Sequence, residues 1–163
     1  MPSSKLEEDL RVLFDKALYD KIFDQRERIE AEGTKKSKYY LATSLLFLKK
    51  YKHSEASLKT LLATDETNGA ILNNLSAALM LQNKHDEALV YLQSSQKNGV
   101  ISKDINANYA RVLVKKKLFH ELINLFIQLP LQKDFDSATF FYVLNFLSSN
   151  SLVIFVKLFS SII

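Results

Sequence analysis

A repeat of 34 residues is the feature that most constrains how this chain folds. Three similar segments follow one another at that spacing, namely Tyr39 to Leu45, Asn73 to Leu79 and Ala107 to Leu113. A second set of places keeps the same phase: Tyr51, His85 and Phe119, and three residues later Ser54, Ala88 and Leu122. Apolar residues at i, i+3, i+4 and i+7 in each half predict two amphipathic helices per repeat. Tandem helix-turn-helix units of fixed period indicate an all-α solenoid.

Composition excludes the main alternatives to a helical fold. Only 3 Gly and 2 Pro occur in 163 residues, whereas β-sandwiches and barrels need turn residues every 8 to 12 residues or so. With 0 Cys, the chain has no disulfide framework, no thiolate zinc site and no cysteine nucleophile.

The three units, 35–68, 69–102 and 103–136, resemble the tetratricopeptide repeat family. The second unit carries the resemblance best, since its residues fall at eight places of the family pattern: Leu72, Leu75, Ser76, Leu79, His85, Ala88, Leu92 and Ser95. Small residues at the eighth and twentieth places, such as Ala42 and Ser54, allow two helices to cross closely. Leu122 takes the twentieth place of the third unit, which predicts a looser crossing there. The resemblance implies antiparallel helix hairpins wound into a right-handed superhelix.

The flanks extend the same pattern, so the sequence predicts one repeat domain over residues 1–163. Residues 1–34 form either a charged helical cap or a degenerate repeat, opened by a capping box of Ser4 and Glu7. Residues 137–163 start a fourth unit in phase and are too few to complete it. At or near the junctions, Gly33, Gly69 and Gly99 are expected at helix ends, which favour a residue tolerant of positive φ, and Pro130 is expected where the second helix of the third unit ends.

The apolar C-terminal segment permits two interpretations. An incomplete repeat exposes the face that a further repeat would cover, so Phe155, Val156, Phe159 and Ile163 are expected to mediate self-association or partner binding. Alternatively, Ser137 to Val156 is uncharged over 20 residues, the length of a membrane anchor. Seven of these residues are Ser, Thr or Asn, which argues against a span in hydrocarbon.

Charge gives no sign of a nucleic-acid partner. The net charge of +4 is small, and the lysine runs 35–38, 49–52 and 115–117 fall at expected helix ends, where a solvated cation also complements the helix dipole. No apolar leader follows Met1, so a cytoplasmic or nuclear protein is expected.

No constellation of residues points to catalysis. The three histidines, His53, His85 and His120, surround the interhelical turns and lack the i, i+4 spacing of a helical zinc site. Neither a Gly-x-Ser-x-Gly elbow nor a glycine-rich phosphate loop occurs. A non-catalytic chain without cofactor or metal is therefore expected.

What remains is a binding surface. In the family that the chain resembles, the first helix of each unit lines a concave groove, and the corresponding residues here are Tyr39, Tyr40, Thr43, Asn73, Asn74, Ala77, Asn108 and Arg111. Asn74 and Asn108 share one place, and an amide that donates and accepts can hold the backbone of an extended peptide. The resemblance thus implies an adaptor or assembly subunit that binds a peptide or helix of another protein.

A narrower alternative is a co-chaperone that binds C-terminal carboxylates of chaperones. Family members of that kind use a clamp of Lys, Asn and Arg, and Asn74 and Arg111 stand at clamp places. Tyr39 and Thr43 replace the first Lys and Asn, and Ala107 replaces a later Lys. The loss of both ammonium groups removes most charge-assisted bonds to a dicarboxylate.

Overall fold

The computed structural model describes residues 5–128 and 137–150, and this part of the chain is helical with no strands. Its helices are α1 (Lys5–Asp15), α2 (Tyr19–Phe23), α3 (Arg26–Glu32), α4 (Lys35–Phe47), α5 (Tyr51–Leu62), α6 (Gly69–Met80), α7 (His85–Lys97), α8 (Lys103–Lys116), α9 (Phe119–Gln128) and α10 (Ser137–Asn150). The chain divides into two compact units, unit 1 (residues 1–84) and unit 2 (residues 85–163). The sequence-based expectation of one continuous domain stays a prediction.

The helix boundaries follow the 34-residue period. The first helices of the repeats begin at 35, 69, 103 and 137, and the second helices begin at 51, 85 and 119. A polar residue caps three of the first helices at the same place: the side chains of Thr34, Asn68 and Ser102 accept hydrogen bonds from the N–H groups of Ser37, Ile71 and Ile105. Each such cap satisfies an N–H group that the helix leaves without a partner.

The turns inside the repeats share a left-handed residue that the sequence did not reveal. Lys49, Asn83 and Lys117 have φ values of 59°, 60° and 57°. Two backbone bonds close each turn; at the first, Lys49 N–H donates to Leu46 O and Lys50 N–H to Leu45 O, the Schellman pattern. At the junctions between units, where glycines of positive φ were expected, only Gly99 has a positive φ, of 69°. Gly69 starts α6, and Gly33 is extended.

Glycine at the left-handed position of the turn is expected to increase the stability of the fold. Lys49→Gly is expected to raise the free energy of unfolding by about 0.5–1 kcal/mol, because glycine adopts positive φ without a Cβ clash. Ala56→Gly, at an exposed site inside α5, is the control and is expected to lose about 1 kcal/mol. Denaturant titration measures both, and a loss of stability in Lys49→Gly would contradict the prediction.

In unit 1, α4 is the central helix and contacts α1, α2, α3, α5 and α6. The core residues of this unit include Leu10, Ile22 and Ile29, all fully buried, with Tyr40 and Leu41 of α4. The expected close crossing of α4 and α5 is present: Ser54 Oγ donates to Ala42 O at 2.8 Å, and both residues are fully buried.

The N-terminal segment packs on α4 through three short helices. Its second half is divided into α2 and α3 by Asp24 and Gln25. The capping-box partner Ser4 lies outside the described residues; Glu7 instead accepts a hydrogen bond from Thr34 Oγ1 at 2.6 Å. Glu7 thereby connects α1 to the start of α4.

In unit 2, α8 contacts α7, α9 and α10. Ala110, Leu113, Leu122 and Val143 are fully buried in its core, and the rings of Phe119 and Phe146 stack at 5.5 Å. Phe146 of α10 is partly buried and packs against this core. Phe141 and Tyr142 are 62% and 41% exposed.

Two predictions for the C-terminal end fall largely outside the described residues. The proposed interface residues Phe155, Val156, Phe159 and Ile163 lie there, as does Pro130. Within 5–128 and 137–150, no helix has the length and apolar character that crossing a bilayer requires.

Candidate functional site

The best-defined surface of unit 1 lies where α4 and α6 meet, and we call it the α4–α6 face. It consists of half-buried Tyr39, Asn73, Asn74 and Ala77, with exposed Ala70 at its edge. The α6 residues share one side of their helix because they are spaced three, four and seven apart. The residues between them, such as Leu72 and Leu75, are buried.

Asn74 joins the two helices of this face. Its Nδ2 donates to Tyr39 Oη and to Thr43 Oγ1, both at 3.0 Å. An amide nitrogen has two hydrogens, so these bonds engage both donors of Asn74 within unit 1. The neighbouring Asn73 Nδ2 donates to Asn74 Oδ1 at 3.4 Å. The result is a polar cluster whose geometry is set before any ligand arrives.

Two other predicted groove residues lie deeper. Tyr40 is buried in the core of unit 1, where its ring centroid lies 5.0 Å from that of Phe14. Thr43 is also buried and contributes its hydroxyl to the Asn74 cluster. Sequence spacing places adjacent residues near one face, but Tyr39 and Tyr40 point about 100° apart on a helix.

Burial of Tyr39 raises the pKa of its phenol, and hydrogen bonds from Thr43 and Asn74 offset part of that rise. Because an ordinary phenol already titrates near pH 10, Tyr39 stays neutral at physiological pH. The cluster is therefore an uncharged hydrogen-bonding group.

A cavity of about 320 Å³ adjoins this face and shares Tyr39 with it. The remaining lining residues are Lys35, Lys36, Asp65, Asn68, Ala70 and Ile71. Lys35 Nζ lies 3.5 Å from Asp65 Oδ2, and Lys36 Nζ lies 3.5 Å from Glu7 Oε1. A hydrogen bond from Asn68 and the charge of Lys35 lower the pKa of Asp65. The cavity thus combines two ammonium groups with one carboxylate.

The groove residues predicted in unit 2 form a second polar cluster. Arg111 Nη1 donates to Asn108 Oδ1 at 3.3 Å, and Arg111 Nη2 donates to Thr139 Oγ1 at 2.8 Å. Thr139, in the first turn of α10, is buried and was not identified from the sequence. Arg111 therefore ties α8 to α10 in the way that Asn74 ties α6 to α4.

A larger cavity of about 680 Å³ lies among α2, α3, α4 and α5. Leu41, Leu45 and Phe23 are among its apolar lining residues, and Arg26, Glu27 and Glu30 are its charged ones. Because the lining carries charges of both signs, it selects no single class of ligand.

The described residues contain no grouping of three His, Cys, Asp or Glu side chains that a metal ion would need. His53 and His120 are exposed on the surface.

Compared with models of protein families and with curated proteins, the chain matches none. The interpretation of its surfaces therefore rests on their geometry and chemistry.

Proposed function

We propose that this chain is a non-catalytic scaffold of the tetratricopeptide type, which holds an extended segment of a partner protein on the α4–α6 face. Helix starts, caps and left-handed turns at 34-residue intervals support the repeat architecture. In such an architecture, consecutive first helices line one surface. Here α4 and α6 are consecutive first helices in contact.

The observation that carries the proposal is an amide pair flanked by small side chains. Asn73 and Asn74 lie between Ala70 and Ala77 on the accessible side of α6. Alanine leaves room for a polypeptide backbone, and the oxygens of the two amides, each with two lone pairs, can accept hydrogen bonds from its N–H groups. Because Asn74 is already held by Tyr39 and Thr43, binding orders few side chains, which lowers its entropic cost.

The same bonds disfavour the co-chaperone alternative. A clamp for a chaperone carboxylate needs Asn74 donors directed at the ligand, and these donors point at Tyr39 and Thr43 instead. Those two residues replace the Lys and Asn that the clamp would use. We therefore favour an adaptor that holds peptide backbone over a reader of chaperone tails.

The proposal predicts that a bulky side chain on the α4–α6 face weakens binding. Ala77→Tyr adds a phenol to the α4–α6 face without removing an existing contact, and is expected to weaken peptide binding at least tenfold, about 1.4 kcal/mol. A random dodecapeptide phage library selected on the full chain supplies the ligands, and fluorescence polarisation measures their affinities.

Ala56→Tyr is the matched control, because Ala56 is an exposed alanine on α5 away from this face. It is expected to bind the selected peptides as the wild type does, and circular dichroism should show both variants folded. Equal affinities for Ala77→Tyr and the wild type would show that the peptides do not bind on the α4–α6 face.

A further inference from the structure

Two lysines line the cavity beside the α4–α6 face, in a position that costs helix stability. Lys35 and Lys36 are the first two residues of α4, whose first turn contains no acidic residue. The amino end of a helix carries a partial positive charge, so cations there are unfavourable. The sequence-based expectation that these lysines complement the dipole is thus wrong for this run. Lys115 and Lys116, in the last turn of α8, do fit it.

Both lysines pair with carboxylates of unit 1, each at 3.5 Å, and Lys35 Nζ also donates to Thr64 O at 3.3 Å. The Lys35 and Lys36 side chains are 46% and 57% exposed. The Lys35–Asp65 pair is exposed at both ends, and such pairs contribute little to stability, whereas Glu7, the partner of Lys36, is only 13% exposed. Asp65 also accepts a hydrogen bond from Asn68 at 3.0 Å, so it keeps a partner if Lys35 turns to a ligand.

The cavity is continuous with the surface on which the partner segment would lie. Tyr39 belongs to both, since it lines the cavity and its hydroxyl accepts a hydrogen bond from Asn74. A segment on the α4–α6 face can therefore extend one of its groups into the cavity that the two lysines line.

We propose that the Lys35 and Lys36 cavity binds a carboxylate of the partner segment, so that the chain selects acidic segments. This inference rests on the proposed function and adds the chemical class of the ligand. An Asp or Glu side chain and a free C-terminus offer the same carboxylate chemistry. Two charge-assisted hydrogen bonds would hold it.

The test uses dodecapeptides that are selected on the full chain and whose binding is weakened by Ala77→Tyr. We expect them to be enriched in Asp or Glu at one end, and Lys35→Gln with Lys36→Gln to weaken their binding about tenfold or more. Lys21→Gln with Lys52→Gln removes the same charge from exposed sites and should leave binding unchanged. Lys35→Arg with Lys36→Arg should retain most of it.

Changes in the peptide show whether the bound carboxylate belongs to a side chain or to the C-terminus. Replacing Asp by Asn or Glu by Gln in the peptide, or amidating its C-terminus, should cause a similar loss on the wild-type chain. If the double Gln variant does not fold, the single variants Lys35→Gln and Lys36→Gln are measured in its place.

Peptides that depend on Ala77 but carry no acidic group, or that bind the Gln variants with unchanged affinity, would overturn this inference and leave the proposed function standing. Failure to select any peptide sensitive to Ala77→Tyr would instead defeat the proposed function.

Discussion

Glu55→Gln is expected to lower the free energy of unfolding at neutral pH by about 3 kcal/mol. This is the free energy that corresponds to the lowering of the Glu55 pKa in the folded state. The Glu55 side chain is 9% exposed and lies between two ammonium groups, Lys59 Nζ at 2.7 Å and Lys84 Nζ at 2.8 Å. Gln82 Nε2 donates to the same carboxylate at 2.8 Å. Glutamine keeps the shape but offers no charge to the two lysines.

The same carboxylate predicts a loss of stability in acid. Burial raises the pKa of Glu55, but the hydrogen bonds from Lys59, Lys84 and Gln82 outweigh it and lower the pKa from 4.5 to about 2. Since the folded state holds the proton less tightly than the unfolded state, the stabilisation is complete above pH 4.5 or so. It decreases as the pH falls from about 4.5 towards 2.

Urea denaturation at pH 7, 4 and 3 measures this effect as the difference between wild type and Glu55→Gln. That difference should shrink as the pH falls, because protonation removes the charge that the variant lacks. Glu66→Gln, at an exposed site, serves as the control and should track the wild type. A constant difference from pH 7 to pH 3 would show that Glu55 acts through packing alone.

The helix boundaries could be predicted from the sequence because local chemistry sets them. Thr34, Asn68 and Ser102 each cap a helix through an N–H group three residues later. Such bonds need no distant partner, so the sequence period and the structural period coincide. The arrangement of the repeats as a solenoid depends on contacts between helices and remains part of our proposal.

The turns were less predictable because backbone bonds, rather than residue preference, hold them. Positive φ favours glycine, which led to Gly33 and Gly69 as candidates. At Gly33 the backbone is extended and a Cβ would lie 2.3 Å from Ile29 O, so close approach explains that glycine. Residues of positive φ lie inside the repeats, at Lys49, Asn83 and Lys117, where the sequence has no glycine.

The sequence predicted which residues lie near the candidate site but not the hydrogen bonds that join them. The repeat phase placed Tyr39, Thr43 and Asn74 near one surface, and the structure brings these three together. Their bonds connect residues 31 and 35 apart in sequence, a pairing that spacing within one helix cannot reveal. Asp65 and Asn68 were missed because the loop that carries them has no periodic pattern.

The second large effect concerns the place where α4 and α5 cross. Ser54→Leu is expected to lower the free energy of unfolding by about 2–4 kcal/mol, since overpacking a tight core costs about 1–3 kcal/mol and the hydrogen bond to Ala42 O about 1 kcal/mol more. Ser54→Ala removes only the hydroxyl and is expected to lose about 1 kcal/mol. Thermal and denaturant unfolding of the full chain measure both.

The third repeat has a large side chain at the place where the first repeat has a small one. Leu122 takes the place of Ser54 there and is fully buried with Ala110 in the core of unit 2. Leu122→Ala should therefore leave a cavity and lose about 2–5 kcal/mol. Equivalent places would thus reject a large residue in one repeat and require it in another, because each crossing is packed around its own side chain. If Ser54→Leu matches the wild type in stability, the α4–α5 crossing has more space than its hydrogen bond implies.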